Sequence, residues 1–247
     1  MKIFLKGFCI GLLCMSLLGL LWFLVIQPGL TNREAQDLKE GYAQPLPGEF
    51  SGEIPAGKEQ AASLVNLSAL QAEYPDIQGW ISIPGTCVDY PVLQSSADEP
   101  EYYLRRTYKG ERRTAGSIFF QWDCSPESKN LVVYGHNMND GTMFAVLQKM
   151  ADEAFRKEHS QILLQTSDGL REYQVAAVLK TDIQKLPFNR TEFADDGDFL
   201  SFQEELFAQS LYKPETIPGA DRRLLTLVTC SYEWESARTV VVAAEVR

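Results

Sequence analysis

Eight short runs rich in β-branched and aromatic residues constrain this chain most: WISIPGT, VDYPVLQ, GSIFFQ, NLVVYGH, QILLQTSDG, LREYQVAAVLK, LLTLVTC and RTVVVAAEV. Each is only a few residues long and is bounded by turn-forming residues, the pattern of strands joined by turns. In TSDGL, Asp168-Gly169 lies between two alternating runs, a hairpin signal. Two amphipathic stretches interrupt the series, near TMFAVLQKMADEAFRK and DDGDFLSFQEELFAQSL. Many short strands with few helices predict a mostly-β domain, a closed or nearly closed barrel with peripheral helices. Upstream, Leu64, Leu67, Leu70 and Tyr74 fall at helical spacing, and Pro75 ends that helix.

The N-terminus has a different composition. Residues 7–26 carry no charge, and about twenty residues at 1.5 Å rise span roughly 30 Å of hydrocarbon. Lys2 and Lys6 precede the run, so the positive-inside bias keeps the N-terminus in the cytoplasm and sends the rest outside. A cleaved signal peptide would have a shorter apolar core and a small-x-small site, whereas this run ends in Val-Ile-Gln-Pro. The expected order is a cytoplasmic tail at 1–6, a transmembrane anchor at 7–26, a stalk or linker at 27–60 and a folded domain at 61–247. Within the linker, TNREAQDLKEGY has the makings of a short helix capped by Thr31 or Asn32. The Pro/Gly-rich stretch after it breaks any regular pattern.

Charge and cysteine content narrow the function. The net charge is −10, and without the two leader lysines it is 21 basic against 33 acidic residues, or −12. A nucleic-acid surface would need a basic stripe, so that class is excluded. Cys9 and Cys14 belong to the leader, leaving Cys87, Cys124 and Cys230, an odd number that points to a free thiol. Two histidines and no CxxC argue against a metal site, and no cofactor is expected. Cys87 and Cys124 are read as free thiols.

Cys230 ends an apolar run, residues 231–237 form a polar loop, and Arg238 opens the next run. Paired as a hairpin, these strands set Cys230 opposite Arg238, a thiol beside a permanent cation. The guanidinium fork suits an oxygen that turns negative when a thiolate attacks an amide, and the Ser231 N–H is a candidate second donor. His136 follows an apolar run and precedes a Gly/Asn-rich turn, where its imidazole can exchange a proton with the thiol and a leaving amine. His159, among charged residues, reads as a surface helix end. Asp89, Asp123 and Asp140 are weaker candidates to orient His136 in a papain-like set.

The strings VVYGHNMNDGTMF and LTLVTCSYEWESARTVVVA resemble the His and Cys–Arg signatures of sortases, particularly class B, over roughly residues 61–247. The resemblance implies an eight-stranded sortase barrel on a Gram-positive surface, with Cys230, His136 and Arg238 as the catalytic Cys, His and Arg. It further implies cleavage of a C-terminal sorting signal through a thioacyl-enzyme and transfer to an amine of a peptidoglycan precursor or pilin. Class B members often read TLSTC where this chain reads TLVTC, with Val228 in place of the serine. Thr229, Tyr134 and Ser231 are the expected substrate contacts. The alternatives are a non-catalytic tethered adhesin or pilus module, and another cysteine peptidase or an L,D-transpeptidase. The last places His and Cys close together, whereas His136 and Cys230 stand 94 residues apart (230 − 136).

Overall fold

The structure, a computed structural model, describes residues 2–21, 27–44, 64–214, 217–231 and 233–246. Two helices come first, α1 (Lys2–Leu21) and α2 (Gln27–Gly41), followed by short strands β1 (Ala43–Gln44) and β2 (Leu64–Val65) and helix α3 (Leu67–Glu73). Then come β3 (Ile77–Ser82), β4 (Asp89–Gln94), β5 (Ile118–Phe120) and β6 (Asn130–Tyr134). Helix α4 (Glu153–Glu158), strands β7 (Gln161–Thr166) and β8 (Gly169–Thr181), helix α5 (Asp196–Ala208), and strands β9 (Leu224–Cys230) and β10 (Arg238–Glu245) complete the chain.

Strands β3 to β10 correspond to the eight runs of the sequence and close into a barrel in the order β10-β8-β7-β3-β4-β5-β6-β9. The barrel is mixed, because β4 pairs with β5 and β6 with β9 in parallel while the other neighbours are antiparallel. Inward positions of alternating strands fill its centre, with Ile81, Val92, Leu131, Val133, Leu225, Leu227 and Val241 buried together. The outer face carries a second layer. Helix α5 buries Phe199, Phe202, Leu206 and Phe207, a stripe at helical spacing, against a cluster containing Leu179, Val240 and Val242. Asp195 caps this helix by accepting from the Asp198 N–H.

The N-terminal segments depart from the sequence reading. Lys2 and Lys6 lie inside α1, which runs Lys2–Leu21, rather than in a separate tail before it. Among the described residues no helix is long and apolar enough to cross a membrane. Residues 22–26, the end of the expected anchor, lie outside the described residues. On α1, Phe8, Leu12, Leu13, Met15, Leu17 and Leu18 are exposed.

Helix α2 starts four residues before the expected cap at Thr31 and lies on the barrel. Ala35 and Leu38 are buried, and Lys39 Nζ pairs with Asp89 Oδ2 at 2.7 Å. Asp89 also accepts from Trp80 Nε1 at 2.7 Å, and Arg113 pairs with Glu34 at 2.7 Å. Helix α3 is shorter than its sequence period suggests. Leu64 belongs to β2, which pairs with β1, and the Asn66 side chain caps the helix by accepting from Ala69 N. His159 corrects another expectation: it ends α4 as read but is buried, with Nδ1 3.0 Å from the Pro84 carbonyl and its ring 4.3 Å from that of Phe155.

Candidate active site

Register brings the chemistry together. Parallel pairing sets Tyr134 at the end of β6 opposite Val228 of β9. Two residues beyond each lie His136 and Cys230, so both leave the barrel at the same rim. Strand β10 begins at that rim, and Arg238 is the direct cross-strand partner of Cys230. The hairpin expected from the sequence is therefore formed. His136, Cys230 and Arg238 line one open groove of about 1200 Å³, together with Tyr134, Val228, Thr229, Phe119, Gln121 and Trp122.

The imidazole is oriented by backbone. His136 Nε2 lies 2.7 Å from the Leu104 carbonyl, which only accepts, so Nε2 carries the proton and the neutral ring keeps its lone pair on Nδ1. None of the three aspartates considered from sequence does this work. Asp89 serves Lys39 and Trp80, Asp123 accepts from Gln121 and Thr191, and Asp140 accepts from Thr142. Burial holds the His136 pKa below the usual 6.5, with Arg105 adding to the effect and the Leu104 bond opposing it. A neutral base at physiological pH follows.

The sulfur sits on a braced strand end. Asn137 Nδ2 and Gln148 Nε2 both donate to the Cys230 carbonyl at 3.0 Å. Lys180 Nζ in turn bonds Gln148 Oε1, Ser231 Oγ at 2.8 Å and Glu233 Oε1 at 2.6 Å. Lys180, then the Ser231 hydroxyl, hold the Glu233 carboxyl down to about 2, so it stays charged and fastens the 231–237 loop to β8. Cys230 is half-buried, whereas burial pushes the Cys124 thiol up to about 12. Cys87, Cys124 and Cys230 are all free thiols.

Two expected substrate contacts have other occupations. The Ser231 N–H donates to the Ala237 carbonyl at 2.9 Å, closing the loop, so it is not available as an oxyanion donor. Ser231 itself is buried, and its hydroxyl belongs to the Lys180 and Glu233 network. Thr229 borders the groove, but its hydroxyl donates to the Gly135 carbonyl at 2.7 Å and ties the cysteine strand to the histidine turn. Tyr134 lines the groove as expected, its hydroxyl bonded to Gln121 Oε1 at 2.9 Å. Sequence reasoning missed Leu104, Asn137, Gln148 and Lys180. The first acts through a backbone carbonyl and so carries no residue signature.

A family model described as Sortase domain matches residues 81–246. Sortase B of Listeria monocytogenes is 35% identical over 194 residues, 74% of this chain and 78% of that protein. A solved Bacillus anthracis structure described as similar to sortase B superimposes with a TM-score of 0.73 at 32% identity, covering 90% of this chain and 97% of the other. A Staphylococcus aureus sortase B–substrate complex gives 0.69 at 28% identity, covering 89% and 94%.

Proposed function

The chain belongs to the sortase family of cysteine transpeptidases, which anchor surface proteins, and from that premise we propose that Cys230, His136 and Arg238 carry the reaction. The supporting observation is the rim shared by β6, β9 and β10, where all three side chains line one groove. Substrate is the C-terminal sorting signal of a surface protein, in keeping with the substrate-bound relative.

In the first half-reaction the Cys230 thiol gives its proton to His136 Nδ1, and sulfur attacks the scissile carbonyl. Arg238, whose Nη1 donates to the Ala237 carbonyl at 3.0 Å, has further N–H groups to donate to the oxygen that becomes negative. As the C–N bond breaks, the imidazolium returns its proton to the leaving amine, and a thioester remains on Cys230. In the second, an acceptor amine of a peptidoglycan precursor or pilin attacks the thioester. Its proton passes through His136 to the departing thiolate. Bound peptide and amine are brought into near-attack geometry by a groove whose walls are braced by hydrogen bonds. Thr229 and Tyr134 border the same groove, and Val228 lines it with an apolar side chain where class B sequences often carry a hydroxyl.

Residues 1–6, 7–26 and 27–60 are assigned as tail, membrane anchor and the segment leading to the catalytic domain, with α2 of that segment docked on the barrel and the domain from residue 61 held outside the cell. This placement rests on the charge-free run and the lysines before it. A panel of sorting-signal peptides incubated with the full chain, with and without an amine, tests the reaction by mass spectrometry of products. Cleavage by the parent with amine-dependent ligation, and none by Cys230→Ala, is expected; equal cleavage by Cys230→Ala would defeat it.

A further inference from the structure

An arginine-rich loop flanks the groove on the histidine side, in a chain whose net charge is −10. Arg105, Arg106, Arg112 and Arg113 all line the cavity. The loop folds back on itself: Arg106 bridges to Arg112, the Arg113 N–H donates to the Arg105 carbonyl at 3.0 Å, and Thr107 N to the Glu111 carbonyl at 2.8 Å. It is well supported, with the Thr107 hydroxyl accepting from Lys109 N and Glu111 N and Ser117 Oγ donating to the Arg106 carbonyl at 2.8 Å. Like charges set directly opposite in a paired backbone are unfavourable, yet Arg106 and Arg112 are held this way.

Two of the four are accounted for internally. Arg113 pairs with Glu34, and Arg106 lies 4.5 Å over the Tyr102 ring with Nη1 3.0 Å from the Gly110 carbonyl. Arg105 and Arg112 are exposed and form no ion pair among the described residues. Glu99 and Glu101 also line this part of the cavity, so arginines outnumber carboxylates there. The loop begins at Leu104, whose carbonyl holds His136 Nε2, and the next residue, Arg105, acts on the imidazole by its charge; the other arginines line the same cavity. At about 1200 Å³ the groove exceeds the roughly 300–1,000 Å³ usual for one small ligand.

We propose that Arg105 and Arg112, backed by Arg106 and Arg113, form a subsite for an anionic group, carboxylate or diphosphate, carried by the acceptor amine. The inference rests on the transpeptidase reading above, in which His136 exchanges protons on the amine side of the scissile bond. Guanidinium groups bind either oxyanion in a fork. They also disfavour the protonated form of a nearby amine, leaving the nucleophilic form that the thioester needs.

The full chain is given a cleavable sorting-signal peptide and, in separate arms, glycylglycine amide, glycylglycine with its free carboxylate, or 2-aminoethyl diphosphate. The parent is expected to use one or both acidic amines roughly tenfold more efficiently than the carboxamide, the worth of one charge-assisted contact. The arm that shows the gap identifies the anion. High salt narrows that gap, and Arg112→Gln and the Arg105→Gln/Arg112→Gln double variant close it. Because each variant is compared with itself across acceptors, turnover of the neutral amine reports folding and any change in His136. Equal use of all three amines by the parent overturns the proposal, as does a gap that survives in the double variant. So does a variant defect of the same size in every arm, which would assign the loop to the sorting peptide. If the parent forms no thioester with any sorting-signal peptide, the transpeptidase reading fails instead.

Discussion

Gly135 is the narrowest point of the construction, and replacing it with alanine tests how the histidine is placed. It joins the end of β6 to His136. A Cβ there would stand 2.4 Å from Ile118 Cδ1 and 2.7 Å from Phe144 Cδ2. Carbon atoms rest about 3.5–4.0 Å apart, so something must yield by about 1 Å. Ile118 and Phe144 are both core residues with almost no exposure, and close-packed interiors do not give way cheaply. The backbone of Phe144 also donates to the His136 carbonyl at 2.9 Å, so a shift of Phe144, or of Gly135 itself, moves the imidazole. Overpacking of this kind costs about 1–3 kcal/mol, and a 1 Å misplacement of a catalytic group costs roughly 100-fold in rate. Gly135→Ala should therefore lower kcat for a fluorogenic sorting peptide about 100-fold and reduce stability in urea by about 1–3 kcal/mol. A thiol reagent should still label Cys230 while the more deeply buried Cys124 stays as protected as in the parent, which separates a displaced histidine from an unfolded domain. A kcat within twofold of the parent at unchanged stability would refute the packing argument.

The other expectations concern charge and buried polarity. Burial, with help from Arg105, keeps His136 below 6.5 in the fold, so between the folded and unfolded values the unfolded chain binds more protons; its stability contribution is present above about 6.5 and lost as pH falls. The acidic limb of the cleavage profile should likewise lie below pH 6.5, and Arg105→Gln should move it upward; an unmoved or downward-shifted limb contradicts the assignment. Asn130 is wholly buried, donates to the Phe188 and Arg190 carbonyls and accepts from Thr226 Oγ1. Asn130→Leu strands all three partners and should cost about 3 kcal/mol or more in urea unfolding, with a loss under 1 kcal/mol counting against this. Arg238→Lys keeps the charge but loses the fork, so kcat should fall roughly 100- to 1,000-fold with little change in KM. A KM effect alone would make Arg238 a binding residue.

The barrel was legible because its strands announce themselves by composition and turns. All eight runs became strands, and the 231–237 loop between two of them located the Cys230–Arg238 pair before any coordinates. The hairpin expected at TSDGL also formed, shifted by one residue: its turn is Ser167-Asp168, and Gly169, at a positive φ of 118°, opens β8 opposite Thr166. What escaped was whatever depends on backbone groups or on long-range docking. A carbonyl such as that of Leu104 has no residue signature, so the sequence points to aspartates in its place. The Ser231 N–H was offered to substrate because nothing in the sequence says that the loop closes back through Ala237. His159 looked solvated from its charged neighbours, yet the fold turns it inward towards Pro84. From sequence, segment 27–41 reads as part of a linker because its few apolar residues are too sparse for a core of their own. Ala35, Leu38 and the Lys39–Asp89 pair suffice to hold it once the barrel supplies the other surface. The arginines of residues 105–113 are visible as letters, but their place in the same cavity as His136 needs the tertiary fold.

The most direct test of the shared-rim chemistry is an acid-quenched reaction of the full chain with a cleavable sorting-signal peptide, followed by intact mass measurement and mapping of the modified residue. The account predicts an added mass equal to the N-terminal peptide fragment as an acyl group, located on Cys230 and discharged by an added amine, with greatly reduced formation in a His136→Ala variant. Peptide cleaved without any adduct on Cys230, or an acyl group on Cys87 or Cys124 instead, would contradict it.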